Sequence, residues 1–193
     1  MELILASSSP RRRMLLEEAG ILFRSIAPDV CEDSQETRPE LPPHELAKWN
    51  ARLKAEAVAF DHPGSVVLAA DTLVCCQGMV LGKPSDRTHA EKMLALLSGS
   101  THEVITAVIW LNPGANAVKE YIGRTWVTFK PLTRDQIREY LDQVHVLDKA
   151  GAYALQERGE DIIERIEGSR SNVIGLPMEP VRRWWAQDYQ STN

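Results

Sequence analysis

Two short apolar runs, residues 2–6 and 65–70, constrain this chain more than any other feature, because each stops abruptly at polar residues. The first runs into Ser7-Ser8-Ser9-Pro10, where Ser9 suits a helix N-cap and Pro10 the first helical position. Leu15, Leu16 and Ala19 then make an apolar stripe, and Gly20 suits the residue just past a helix end. The chain therefore opens as buried strand, tight turn and helix. The second run ends in Asp71-Thr72, which predicts an acid just beyond a strand.

The same alternation continues downstream. Residues 33–43 are polar and Pro-rich, a loop, and Leu46, Trp49, Leu53 and Ala57 predict a helix over residues 44–60. Residues 73–76 and 79–81 flank Gln77-Gly78 as strand, turn, strand. Gly82-Lys83-Pro84 leads into a helix capped by Ser85 or Asp86, with Met93, Leu94 and Leu97 inward and Gly99 closing it. Strands are expected over residues 102–111 and 118–129, around the turn Asn112-Pro113-Gly114. Thr133 and Gln136 have capping-box spacing and start a helix to about residue 142. Residues 148–156 and 162–166 read as mixed short elements, and a final helix over 177–188 carries Trp184-Trp185 as core packing or a subunit contact. Strands alternating with helices predict an α/β fold, and the 193 residues fit a single domain.

Charge and cysteine usage narrow the function. A net charge of −5 argues against nucleic acid as the main partner, because a polyanion is gripped by a basic surface. A small phosphorylated ligand needs only a local cation cluster and stays open. No apolar run approaches the ~20 residues that span a bilayer, and Glu2 stands where a secretion signal needs positive charge, so no membrane partner and a cytoplasmic location are expected. Cys31, Cys75 and Cys76 make a poor disulfide framework and no zinc motif, and they read as reduced, buried thiols. The glycine-rich dinucleotide fingerprint, the P-loop, the nucleophile elbow and the His-Glu-x-x-His motif are all absent from the sequence.

What remains is cations at turns beside isolated acids. Ser7 to Arg13 place hydroxyls and guanidiniums at a helix N-terminus, where free N–H groups and the dipole favour an anion. The alternative is a capped surface helix with solvated arginines. Asp71 reads as an ordinary turn aspartate or as a carboxylate that holds a cation or orients a water. Lys83, between Gly82 and Pro84, is either a solvated loop lysine or a ligand contact; Lys54 reads as part of a solvated helix face. Glu32 carries almost no signal by itself. The histidines at 44, 62, 89, 102 and 145 show no triad or metal spacing.

Six motifs occur in one order along residues 3–178: Leu5-Ala6-Ser7-Ser8-Ser9-Pro10-Arg11-Arg12, Ala70-Asp71-Thr72, Gly82-Lys83-Pro84, His102-Glu103-Val104-Ile105-Thr106, Asp148-Lys149-Ala150-Gly151-Ala152-Tyr153 and Gly175-Leu176-Pro177. In that order they resemble the Maf nucleotide pyrophosphatases. The resemblance implies an elongated α/β structure, a mixed sheet flanked by helices, whose two lobes flank a central cleft, akin to the inosine triphosphate pyrophosphatases. It implies hydrolysis of a nucleoside triphosphate to the monophosphate and pyrophosphate with a divalent metal, Mg²⁺ or Mn²⁺, in a house-cleaning role, and a homodimer. The segment from Asp148 to Gln156 is similar to the branch acting on dTTP and UTP, and differs from the sister branch that prefers 7-methyl-GTP.

Carried over by motif, Asp71 matches the proton acceptor, and Arg11, Thr72 and Gln156 match the positions tied to substrate choice. Glu32, Lys54 and Lys83 match other catalytic residues of the cleft, Ser7 and Arg12 match substrate contacts, and Asp71 and Glu32 are the implied metal ligands. Where the branch reads Gly-Ile-Gln-Gly, this chain has Ala154-Leu155-Gln156-Glu157, so a lost glycine and an added carboxylate are expected to alter the pocket. Two other readings use the same residues: a nucleotide-binding regulator of division or septum formation with little catalysis, and a purine house-cleaning enzyme of the related fold.

Overall fold

The computed structural model describes residues 2–189, so both ends of the domain expected over residues 1–193 lie outside the described residues. The opening strand β1 (Leu3–Ala6) is buried at every position. It hands over to α1 (Pro10–Glu18), whose Ser9 cap accepts from the Arg12 N–H. β2 (Arg24–Ile26) follows, then α2 (Pro43–Asp61), β3 (Val66–Cys76), β4 (Met79–Leu81) and α3 (Arg87–Leu97), capped by Asp86. The long antiparallel strands β5 (Thr101–Asn112) and β6 (Ala117–Phe129) lead to α4 (Arg134–Gln143), which starts with the expected capping box. α5 (Gly159–Ile162), β7 (Ile163–Glu167), α6 (Arg170–Ile174) and α7 (Met178–Tyr189) complete the order.

Among the described residues the strands form one seven-stranded mixed sheet, ordered β2-β1-β3-β5-β6-β7, with β4 also on β3. Its register opens a gap. β5 occupies one edge of β3 from Val67 to Cys75. The other edge is shared by β1, paired as far as Leu68, and β4, paired from Val74 onward. Residues 69–73 therefore have no strand partner on that edge, and Asp71 and Thr72 lie in the middle of the gap. This corrects the expectation of an acid beyond a strand end: Asp71 is mid-strand, facing Ala107 of β5.

Apolar packing divides along the sheet. On one face, Ala47, Ala51, Ala55 and Ala59 of α2 pack on Ala6, Ala69 and Ala107, small residues that let helix and sheet approach closely. On the other face, Leu15 and Leu16 of α1 join Leu68, Trp110 and the α7 residues Val181 and Trp184. A third cluster holds α3 and α4 against Val74, Val127 and Phe129 at the far end. Trp184 is buried as expected, while Trp185 is partly buried and stacks on Tyr189 at 3.9 Å. The thiols depart from expectation: Cys76 is buried and Cys75 half-buried, but Cys31 is exposed.

Candidate active site

Because neighbouring strand residues point to opposite faces, the gap in β3 presents Asp71 to one side of the sheet and Thr72 to the other. On the Asp71 side, Lys54 comes down from α2. It is 4% exposed, and its Nζ donates to Asp71 Oδ1 at 2.7 Å and meets Glu32 Oε1 at 3.0 Å. The solvated-face reading of Lys54 is thereby overturned: the alanine-rich helix seats it against a buried carboxylate. Glu32 is delivered by Asn50, one helical turn before Lys54, whose amide donates to the Asp33 carbonyl and accepts from the Asp33 N–H, both at 2.9 Å. Nothing in the sequence singled out Asn50, and its absence of exposure is the only signal that marks it.

Burial raises the Asp71 pKa, with the Glu32 charge adding to the shift while Lys54 and Arg12 oppose it. Partial burial also pushes on Glu32, but Lys54 and Lys83 outweigh it and hold Glu32 below the usual carboxylate range. Asp71 Oδ2 is buried without a hydrogen-bond partner. A carboxylate with one oxygen anchored and one free, its pKa raised by burial, has the geometry to accept a proton from a water. The same pair fits a hard divalent cation, which favours carboxylate oxygens. Among the described residues no group of three or more His, Cys, Asp or Glu could hold a metal, so such a cation takes its other oxygens from elsewhere.

On the Thr72 side, Arg12 is half-buried, and desolvation lowers its pKa although Asp71 and Glu32 oppose the shift. Its Nε donates to the Gly175 carbonyl at 2.8 Å, one terminal nitrogen to Ser7 Oγ at 3.2 Å and the other to Thr72 Oγ1 at 3.1 Å. Gly175 has φ of 122°, a conformation L side chains rarely adopt, and an added Cβ would crowd Thr72 Oγ1 at 3.4 Å. Of the five guanidinium N–H groups, three are held by protein, which leaves one on each terminal nitrogen for phosphate oxygens.

These groups line a cleft of about 350 Å³ together with Ser7, Arg11, Lys83 and Gln156. All the site residues expected from the sequence meet there. Arg11 is bridged to Asp148 at 3.1 Å from across the cleft. Asp148 is shared with the buried Lys149, at 3.0 Å. Gln156 is exposed, its amide against Met14 Sδ at 3.5 Å. Glu157 is not itself a lining residue: its charge reaches the cleft through Lys149, a lining residue with which it pairs at 3.2 Å. Ala154 has no left-handed backbone, so the lost glycine brings no backbone strain there.

The comparisons with known proteins decide the lineage: the family described as Maf-like protein matches residues 2–187. The chain belongs to the Maf family. It is 50% identical over 180 residues to the dTTP/UTP pyrophosphatase of Akkermansia muciniphila, covering 93% of both chains. It is 46% identical to the protein of that name from Moorella thermoacetica, covering 93% of this chain and 91% of that one. Against its namesake in Symbiobacterium thermophilum the identity is 45%, covering 92% and 89%. The Maf fold is thus the mixed sheet described above, and the cleft at the β3 gap is where the family's motifs converge. No described helix is long and apolar enough to cross a membrane.

Proposed function

We propose that this protein hydrolyses dTTP and UTP to the nucleoside monophosphate and pyrophosphate, a house-cleaning activity in the cytoplasm carried out by a homodimer of single-domain chains. Relatives named dTTP/UTP pyrophosphatase, 41–50% identical and covering most of this chain, support the substrate class. The observation that carries the chemistry is the buried Asp71 carboxylate, with Oδ1 on Lys54 and Oδ2 free, among cations in a cleft.

In this reading the triphosphate lies along the cleft. The guanidinium of Arg12, with Arg11 and Lys83, neutralises its oxygens. Ser7 and Thr72 hold Arg12 in place. Asp71 Oδ2 accepts a proton from the water that attacks the α-phosphorus in line; the α–β anhydride bond breaks and pyrophosphate leaves. Lys54 aims Asp71 and Glu32 and offsets the cost of burying the carboxylate. Asp71 and Glu32 are also the residues that would hold a divalent cation, Mg²⁺ or Mn²⁺, which supplies charge neutralisation at the phosphates when bound. Gln156 offers both a donor and an acceptor to the O4/N3 edge of uracil or thymine, and with Arg11 and Thr72 it sets substrate choice.

The test is pyrophosphate release from dTTP, UTP, CTP, 5-methyl-UTP, 7-methyl-GTP and ITP, with Mg²⁺ and with Mn²⁺. Fastest release from dTTP and UTP is expected. No release from any nucleotide would favour a binding regulator, and release confined to 7-methyl-GTP or ITP would overturn the substrate. Asp71→Asn is expected to slow turnover by ~10²–10⁴-fold while sparing nucleotide binding; near-normal turnover rejects Asp71 as the base.

A further inference from the structure

Asn172 is wholly buried in α6, just ahead of Val173, Ile174 and Gly175, which line the cleft. Its Nδ2 donates to the Val104 carbonyl on β5 and to Thr125 Oγ1 on β6, each at 3.0 Å. Both amide hydrogens are thereby used, and the flipped orientation would set two acceptors, Oδ1 and the Val104 carbonyl, against each other. Oδ1 is left without a partner. It lies against Gly123, where a Cβ would come within 2.3 Å of it. The site thus tolerates an orphaned polar atom and requires a bare backbone on β6, both in order to seat this one amide.

The Asn172 backbone carbonyl accepts from Thr106 Oγ1 at 3.0 Å. A hydroxyl has one proton, so with the Thr106 proton on this carbonyl Thr72 is the donor at the 3.0 Å contact between the two hydroxyls, in preference to its longer 3.5 Å contact with the Gly175 carbonyl. Thr72 in turn accepts from Arg12 at 3.1 Å. The result is a one-directional chain from guanidinium to Thr72 to Thr106 to the Asn172 carbonyl, in which each bond polarises the next. The Gly175 N–H is shared between the Asn172 and Ser171 carbonyls, each at 3.1 Å, so the α6 end that Asn172 pins sets the Gly175 carbonyl that receives Arg12 Nε at 2.8 Å.

We propose that Asn172 is a positioning residue for Arg12: it pins α6 to β5 and β6, and through Thr106 and Gly175 it aims the guanidinium at the substrate phosphates. This rests on the pyrophosphatase reading. Two of the three protein contacts of Arg12 trace back to this residue, whereas Ser7 supplies the third independently.

The test measures pyrophosphate release by Asn172→Ala and Thr106→Val, each alone and combined with Arg12→Lys. Asn172→Ala should lower kcat/KM for dTTP by about 10²-fold, since a misplaced clamp of this kind loses about that much. Thr106→Val keeps the volume and should lose about tenfold by removing one link to a charged donor. In the Arg12→Lys background both losses should shrink to within about twofold, because a positioning residue has nothing left to position. Losses that persist undiminished there would overturn the proposal. Should Asn172→Ala not fold, Thr106→Val decides alone. Calorimetric binding of inorganic pyrophosphate reads the same coupling without turnover. A wild-type protein that releases nothing would sink the pyrophosphatase reading, while unchanged pyrophosphate affinity in Thr106→Val would sink this one.

Discussion

His102 should make this protein lose stability in mild acid in a way that one substitution removes. The residue lies near the start of β5, 2% exposed, edge-on to Phe129 at 5.0 Å and to Tyr153 at 5.4 Å. Its Nε2 shares a 2.9 Å hydrogen bond with the Tyr153 hydroxyl, and Nδ1 has no partner. Protonation would bury a charge and a second ring N–H with nothing to receive it, so burial pushes the pKa from 6.5 down to about 4. The unfolded chain therefore takes up the proton first. Stability is complete above the unfolded value near 6.5 and falls as the pH drops toward the folded value. At 1.36 kcal/mol per pKa unit, the loss approaches about 3 kcal/mol in the acid limit and is already about 2 kcal/mol near pH ~5. His102→Phe keeps the ring packing and removes the titration, at a neutral-pH cost of about 1–3 kcal/mol for the orphaned Tyr153 hydroxyl. Urea unfolding of both proteins at about pH 8 and about pH 5 should show the variant less stable at the higher pH, with the gap closing by about 2 kcal/mol at the lower one. Carboxylates elsewhere titrate alike in both proteins and cancel in the difference. A gap that stays constant with pH would refute the buried-neutral assignment.

Other substitutions separate the roles of the site residues. Lys54→Met should lower stability by about 3–5 kcal/mol in urea unfolding, because it strips the partner from a buried carboxylate; a loss under about 1 kcal/mol would mean that Asp71 is already neutral. Gln156→Ala should narrow the preference for UTP over CTP in pyrophosphate release, with little change in unfolding, since Gln156 is exposed and its amide makes a weak 3.5 Å contact with Met14 Sδ. Glu157→Gly should leave nucleotide preference unchanged and cost less than about 1 kcal/mol, because Glu157 is the exposed partner and the buried Lys149 keeps Asp148 at 3.0 Å; an altered preference would show that Glu157 reaches the base after all.

What could be read from the sequence follows the range of the interactions involved. The Ser9, Asp86 and Thr133 caps, the α3 stripe and the Gln77-Gly78 turn are set by neighbours within four residues, and each occurs where the pattern placed it. The α2 helix forms, but not with the expected stripe inward: of Leu46, Trp49, Leu53 and Ala57 only Leu46 is buried, Trp49 is exposed, and the buried face is the alanine row with Asn50 and Lys54. Asp71 was legible as a residue but not as a position: a polar side chain after an apolar run reads as a strand end, and only pairing with β5 carries the strand through it. β2 is three residues without periodicity, and α6 is one turn, so neither shows a pattern. The site is the least local part of all. Lys54 and Asp71 are 17 residues apart, Arg11 and Asp148 are 137, and Arg12 and Gly175 are 163. A lysine beside alanines looks solvated until its carboxylate is known, yet the alanines themselves held the clue. A helix that packs on Ala6, Ala69 and Ala107 through Ala47, Ala51 and Ala55 lies too close to the sheet for a lysine on that face to reach water. Such a lysine must end on an acid across the interface, and Asp71 is the buried acid that β3 offers. The net charge of −5 averages over this arrangement. In the proposed reaction the work falls to Lys54, Arg12 and Asp71, brought into one cleft where the lysine and the aspartate are buried against each other.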